Sequence, residues 1–75
     1  REGKFIFTDE EMSVVLHVLA RWYGVNFIQE GKCRDYTFSG MVSRDEQLTA
    51  VLEMLTIAGG PRFDIKGKNV YIKEK

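Results

Sequence analysis

Residues 9–27 read DEEMSVVLHVLARWYGVNF, and residues 45–63 read DEQLTAVLEMLTIAGGPRF. At a shift of 36 positions these stretches share seven identical residues, and the last identity, Phe27 with Phe63, lies beyond the apolar segment. Any two capped amphipathic helices resemble each other, but here the register continues into the residues that follow. It therefore favours an internal strand–helix–strand repeat over a chance likeness.

Each stretch carries the start and stop signals of an amphipathic helix. Thr8–Glu11 and Ser43–Glu46 fit the capping-box pattern, in which a hydroxyl and a carboxylate satisfy the first free amides of a helix. Gly24 and the Gly-Gly-Pro run at 59–61 supply the stops. We expect a first helix over about 9–23 and a second helix that begins after Ser43.

Short runs with the alternation of β-strands flank both helices. They are residues 4–7, 25–28, 35–39, 62–65 and 70–73, and a turn at 66–69 joins the last two into a hairpin. The sequence therefore predicts an α+β fold made of two βαβ repeat units with a C-terminal β-hairpin.

Each helix also carries a second apolar stripe on its far side. This stripe consists of Val14 and Val18 on the first helix and Ala50, Met54 and Ile57 on the second. A helix that lies on a single sheet needs only one apolar face. We therefore expect the two helices to pack between two small sheets.

Helical and alternating spacing together predict the hydrophobic core. Its members are Phe5, Phe7, Met12, Val15, Leu16, Leu19, Val25, Phe27, Phe38, Leu48, Val51, Leu52, Leu55, Phe63, Ile65, Val70 and Ile72.

Composition limits the class of protein. The chain has 75 residues, of which 44% are hydrophobic and 29% charged, as in an ordinary globular domain. We expect one domain over residues 1–75, and because the chain begins at Arg1 rather than Met, we expect it to be a fragment of a larger chain. Eleven basic residues balance eleven acidic ones, which disfavours general nucleic-acid binding.

Residues with catalytic or metal-binding chemistry are few. His17 is the only histidine and Cys33 the only cysteine, whereas a zinc site needs three or four ligands. We interpret His17 as a solvated helix residue and Cys33 as an incidental thiol. We expect no catalytic, metal-binding or cofactor-binding residues, no cofactor and no enzymatic activity.

A βαββαβ order also describes ferredoxin-like RNA-binding modules, which stack bases on aromatic residues of the third strand. Tyr36 and Phe38 occupy that strand here, but Asp35 gives it an acidic start. Hydrophobic alternation explains both aromatic residues at least as well as RNA binding does.

Residues 5–73 resemble the C-terminal domain of FecR-family anti-sigma regulators, a variant of the secretin/TonB short N-terminal domain. The resemblance rests on several short segments that occur in the same order and spacing. They are Phe7-Thr8-Asp9, Arg21-Trp22-Tyr23-Gly24-Val25, Phe38-Ser39-Gly40, Val51-Leu52-Glu53-Met54-Leu55, and Phe63 to Gly67 followed by Val70-Tyr71-Ile72.

The resemblance implies two βαβ units with their helices between two sheets. It also implies a periplasmic signalling domain of an inner-membrane protein, which binds the signalling domain of a TonB-dependent outer-membrane transducer. A related alternative is the N-terminal signalling domain of a transducer or secretin, which shares the repeat. The resemblance supplies no catalytic residues.

Alternation suggests where a partner would bind. Ile6, Ile28 and Tyr71 lie on the opposite strand faces from the core residues of their own strands. They are either scattered surface residues, or residues covered by other parts of the parent protein, or the flanks of a strand-edge docking site. We predict that these three residues are the partner-binding residues.

Overall fold

The structure, a computed structural model, describes residues 3–32 and 34–74. Cys33 therefore lies outside the described residues. The elements in chain order are β1 (Lys4–Glu11), α1 (Met12–Tyr23), β2 (Asn26–Gln29), β3 (Thr37–Ser43), α2 (Leu48–Ile57), β4 (Arg62–Lys66) and β5 (Asn69–Lys73). Neither helix is long and apolar enough to cross a membrane.

The strands form two small sheets. β1 pairs with β3 in an antiparallel two-stranded sheet, and the three-stranded sheet has the order β2-β5-β4. β5 is parallel to β2 and antiparallel to β4, so β4 and β5 form the predicted C-terminal hairpin. The predicted α+β fold is confirmed, and each repeat unit contributes one strand to each sheet.

The internal repeat is visible in the positions of the elements. α1 begins at Met12 and α2 at Leu48, a shift of 36 residues. β2 begins at Asn26 and β4 at Arg62, again a shift of 36 residues. The helices and the strands that follow them therefore repeat at the spacing of the sequence identities.

The predicted capping box at Thr8 is wrong, because β1 continues to Glu11. A β-bulge between Phe7 and Glu10 carries the strand on, with Asp9 at a positive φ of 48° and its amide donating to Ser39 Oγ at 2.7 Å. Pairing with β3 provides hydrogen-bond partners for the main chain of Glu10 and Glu11, which the sequence placed in the first turn of the helix. α1 starts after Glu11, which makes no side-chain capping hydrogen bond.

The second capping box is wrong for the same reason. Ser43 is the last residue of β3 and pairs with Lys4 of β1. Its hydroxyl accepts a hydrogen bond from the Asp45 amide at 3.2 Å, which stabilises a local turn rather than a helix start. α2 begins at Leu48, and its N-cap, Gln47, makes no side-chain capping hydrogen bond.

The core lies where the helical and alternating patterns placed it. Every predicted core residue is either buried or half-buried against the buried cluster. Two buried apolar residues of the described chain were not predicted, Val42, which is 2% exposed, and Pro61. Val42 was missed because β3 was predicted to end at Ser39, whereas it runs on to Ser43.

The second apolar stripe of the helices is only partly covered. Val18 and Met54 are half-buried and pack against the core. Val14 and Ile57 are 42% and 78% exposed, and Ala50 is also exposed, so these three residues of the stripe lie at the surface. α1 contacts strands of both sheets, and α2 contacts β4.

Candidate functional site

The outer face of the three-stranded sheet holds two of the three predicted partner-binding residues. Ile28 of β2 and Tyr71 of β5 are register partners, and Asp64 of β4 is the next residue in the same row. Ile28 is 36% exposed, and Tyr71 is half-buried. Residues adjacent in register share a sheet face, so Ile28 and Tyr71 lie side by side.

The charged residues of this face lie on the side of the hairpin. The Asp64 carboxylate forms ion pairs with the Lys73 ammonium at 3.7 Å and with the Lys66 ammonium at 4.0 Å. The Lys66 ammonium also lies 5.6 Å from the centre of the Tyr71 ring. The face is therefore apolar beside β2 and charged beside β4.

Ile6 lies in the other sheet. It is 69% exposed and is the register partner of Met41, which is 59% exposed. The structure thus brings Ile28 and Tyr71 together but does not bring Ile6 to them. Met41 was not predicted, because the predicted end of β3 at Ser39 left it outside any strand.

A groove of about 760 Å³ opens along β2. Its walls are α1 with the residue before it, the strand β2, and the segment 34–37 that leads into β3. Phe27 and Gln29 line it from β2, and Ser13 and His17 line it from α1. His17 is exposed, as predicted for a solvated helix residue.

The end of α1 is fastened to the turn between β3 and α2. The Trp22 indole N–H donates to the carbonyl of Arg44 at 3.0 Å, and the Arg44 guanidinium lies 4.6 Å from the centre of the Phe5 ring and 5.4 Å from that of Trp22. The Tyr23 hydroxyl donates to the carbonyl of Glu46 at 2.6 Å. Trp22 and Tyr23, which belong to the Arg21-Trp22-Tyr23-Gly24-Val25 segment of the family resemblance, therefore connect the first repeat unit to the second.

Burial raises the pKa of the Tyr23 hydroxyl, and the nearby charges of Glu46 and Asp45 raise it further. All three effects disfavour the phenolate. The hydroxyl therefore stays protonated and can donate its hydrogen bond up to higher pH than a free tyrosine would.

A second cluster fastens the loop after β2 to the end of β5. The Arg34 guanidinium donates to Glu74 at 3.0 Å, and the Arg34 amide and the Tyr36 hydroxyl also donate to Glu74, each at 3.3 Å. Desolvation opposes ionisation of Glu74, but the hydrogen bonds from Arg34 and Tyr36 outweigh it and lower the pKa of the carboxyl. The hydrogen bonds to Tyr36 and Glu74 raise the pKa of Arg34.

The two aromatic residues that an RNA-binding module would use are engaged elsewhere. Phe38 is buried in the core, and Tyr36 is half-buried with its hydroxyl on Glu74. Within residues 3–32 and 34–74, no group of three or more His, Cys, Asp or Glu side chains could hold a metal ion. The surface features nearest to the predicted partner-binding residues are the outer sheet faces and the groove beside β2.

Comparisons with known proteins agree on the fold. The family described as FecR, C-terminal, matches residues 4–72. Two crystal structures of a candidate anti-sigma factor from Parabacteroides distasonis, at 1.65 Å and 2.50 Å resolution, superpose with a TM-score of 0.86 at 21% identity. Each match covers 99% of this chain and 35% of that protein's chain. No curated protein matches the sequence. Because the family match spans nearly all of its residues, this chain belongs to the FecR C-terminal family.

Proposed function

We propose that the chain is the periplasmic signalling domain of a FecR-type anti-sigma regulator and binds the signalling domain of a TonB-dependent outer-membrane transducer. The observation that carries this proposal is the family match over residues 4–72, which supports an anti-sigma regulatory domain. The chain spans 35% of the length of its structural relative, so the location and the partner of the whole protein are part of the proposal.

A regulatory domain of this kind works by binding protein rather than by catalysis. Within the part of the chain that the structure describes, no group of three or more His, Cys, Asp or Glu side chains could hold a metal ion. The function that we propose is non-catalytic and involves no cofactor.

The proposed contact surface is the apolar part of the three-stranded sheet's outer face, formed by Ile28 and Tyr71. Ile28 lies on an edge strand, and Tyr71 lies beside it on the central strand. A tyrosine flanked by an exposed aliphatic residue provides apolar contact area at low cost in side-chain entropy, as is common in protein interfaces. Ile6 lies on a separate surface with Met41 and would make a second contact of its own.

The test is a calorimetric titration of the chain with the signalling domain of a TonB-dependent transducer encoded beside it. We expect Ile28→Glu and Tyr71→Ala to weaken binding at least tenfold while both variants remain folded by circular dichroism. Ile57→Glu is the matched control, because it places the same charge on an exposed residue of α2 that belongs to neither sheet. Unchanged affinity in both folded variants would move the site to Ile6 or to the flank of α1 around His17 and Arg21.

A further inference from the structure

The two edges of the three-stranded sheet differ in how they are protected. β4 carries the charged residues Arg62, Asp64 and Lys66, and Asp64 forms ion pairs with Lys66 and Lys73. Charged side chains on an edge strand are a common way to prevent another strand from adding to a sheet. β2, which reads Asn26-Phe27-Ile28-Gln29, carries no charge. The edge of β2 is therefore the unprotected one.

The main chain of β2 leaves hydrogen-bonding groups on its free side. The Asn26 amide donates to the Lys68 carbonyl at 2.8 Å, and the Glu30 amide donates to the Ile72 carbonyl at 3.3 Å. Residues 26, 28 and 30 thus point their main-chain groups at β5. Because these groups alternate along a strand, the N–H and C=O of Phe27 and Gln29 point away from β5. Among residues 3–32 and 34–74, none forms a hydrogen bond with them.

The groove of about 760 Å³ gives access to this edge and has an acidic wall. Glu11 and Asp35 both line it, are exposed, and form no ion pair with any basic residue that the structure describes. Arg34 also lines the groove, but its charge is paired with Glu74 at 3.0 Å. The charge left without a counter-charge is therefore negative, and a basic segment would complement it.

We propose that the partner's signalling domain adds a strand to the free edge of β2 and carries a basic residue that faces Glu11 and Asp35. This inference rests on the proposed function and specifies how the partner binds. Main-chain hydrogen bonds to Phe27 and Gln29 supply affinity, and Ile28 at the edge of the outer face receives an apolar side chain of the added strand. A second copy of this chain is a poorer occupant, because it would bring two acidic groove walls together.

The test compares Gln29→Pro with Gln29→Ala in a titration with the transducer's signalling domain, using both the 75-residue chain and the full-length protein that contains it. Proline removes the outward N–H and is tolerated on an edge strand, because that N–H makes no bond within the sheet. Alanine removes the same side chain, including its hydrogen bond to the Gly31 carbonyl, but keeps the N–H. We expect at least a tenfold loss of affinity for Gln29→Pro and less than a twofold change for Gln29→Ala.

Hydrogen exchange keeps the proposal testable even if Gln29→Pro does not fold. In the wild-type chain, binding is expected to slow exchange of the Phe27 and Gln29 amides at least tenfold, while the outward amides of β4 at Phe63 and Ile65 do not change. A combined Glu11→Gln and Asp35→Asn variant is expected to bind severalfold more weakly at low salt.

The outcomes separate the two proposals. Suppose that the wild type binds, that Gln29→Pro binds with the same affinity, and that binding does not slow hydrogen exchange of the Phe27 and Gln29 amides. Strand addition at β2 is then wrong, and the proposed function stands. If affinity and hydrogen exchange at β2 change as expected, but the combined Glu11→Gln and Asp35→Asn variant binds with wild-type affinity, the proposal of a basic partner residue facing Glu11 and Asp35 is wrong. If neither the 75-residue wild-type chain nor the full-length protein binds the transducer's signalling domain, the proposed function and the strand addition are both overturned. Self-association of the chain that Gln29→Pro abolishes would show that the occupant is a second copy and would overturn the assignment to the transducer.

Discussion

Replacement of Tyr23 by phenylalanine tests whether the end of α1 holds the turn before α2 in place. The change removes one hydrogen bond of 2.6 Å to the Glu46 carbonyl and leaves the half-buried ring. A hydrogen bond of this kind contributes about 0.5–1.5 kcal/mol to the free energy of unfolding. In a domain of this size, 1 kcal/mol shifts the melting temperature by about 4–8 °C. We therefore expect Tyr23→Phe to lower the melting temperature by roughly 2–12 °C.

The measurement is thermal and urea unfolding followed by circular dichroism. Tyr71→Phe is the matched control, because the Tyr71 hydroxyl has no hydrogen-bond partner in the described part of the chain, and we expect it to stay within about 0.5 kcal/mol of wild type. The raised pKa of Tyr23 adds a second readout. Stability that depends on the protonated hydroxyl is fully present below pH 10.0 and is lost as the pH rises through the higher folded-state value, so the wild type and Tyr23→Phe should converge at alkaline pH. Equal stability of Tyr23→Phe and wild type at neutral pH would refute the reasoning.

Three other predictions concern the core, the Glu74 cluster and the absence of a cofactor. Leu52→Ala should cost about 2–5 kcal/mol in urea unfolding, whereas Ile57→Ala on the exposed side of α2 should be nearly neutral; a small effect at Leu52 would contradict the core assignment. Because the pKa of Glu74 is lowered in the folded state, the stabilisation by this carboxylate is present above its ordinary value of 4.5 and is lost as the pH falls through the lower folded value. The melting temperatures of wild type and Glu74→Gln should therefore approach each other in acid, and a constant difference from neutral pH to pH 3 would count against the cluster. Zinc should leave the melting temperature unchanged, because we expect no zinc to bind. A zinc ion that binds the native state would raise the melting temperature, and such a rise would contradict this prediction.

Periodic features of the fold could be predicted from the sequence. Helical spacing in Val15–Leu19 and Val51–Leu55 identified both helices and the buried face of each, because burial of an apolar stripe determines where such a helix packs. The C-terminal hairpin followed from alternation on either side of the turn at 66–69. The 36-residue repeat identified the two units before their strands were assigned to sheets.

Features that depend on strand pairing could not be predicted in the same way. The sequences at Thr8 and Ser43 favour helix caps locally, but hydrogen bonds between β1 and β3 extend both strands past those positions. The bulge at Asp9 changes the register of this pair. The neighbours of Ile6 on the sheet surface depend on that register, and no local pattern encodes it.

The candidate site was predicted in part for the same reason. Alternation placed Ile28 and Tyr71 on the outward faces of their strands, and the parallel register of β2 with β5 makes them neighbours. Alternation alone could not show that Ile6 belongs to another sheet. The free main-chain groups of Phe27 and Gln29 and the acidic wall of the groove depend on how α1, β2 and residues 34–37 are arranged in space.

Amide chemical shifts of the ¹⁵N-labelled chain, recorded while the transducer's signalling domain is added, test most directly whether this domain binds its partner through the β2 side of the three-stranded sheet. We predict saturable changes that are largest at residues 26–29 and at Tyr71, with smaller changes at Glu11 and Asp35. Changes confined to Ile6 and Met41 on the two-stranded sheet, or spectra that do not change at a saturating excess of the partner, would contradict this prediction.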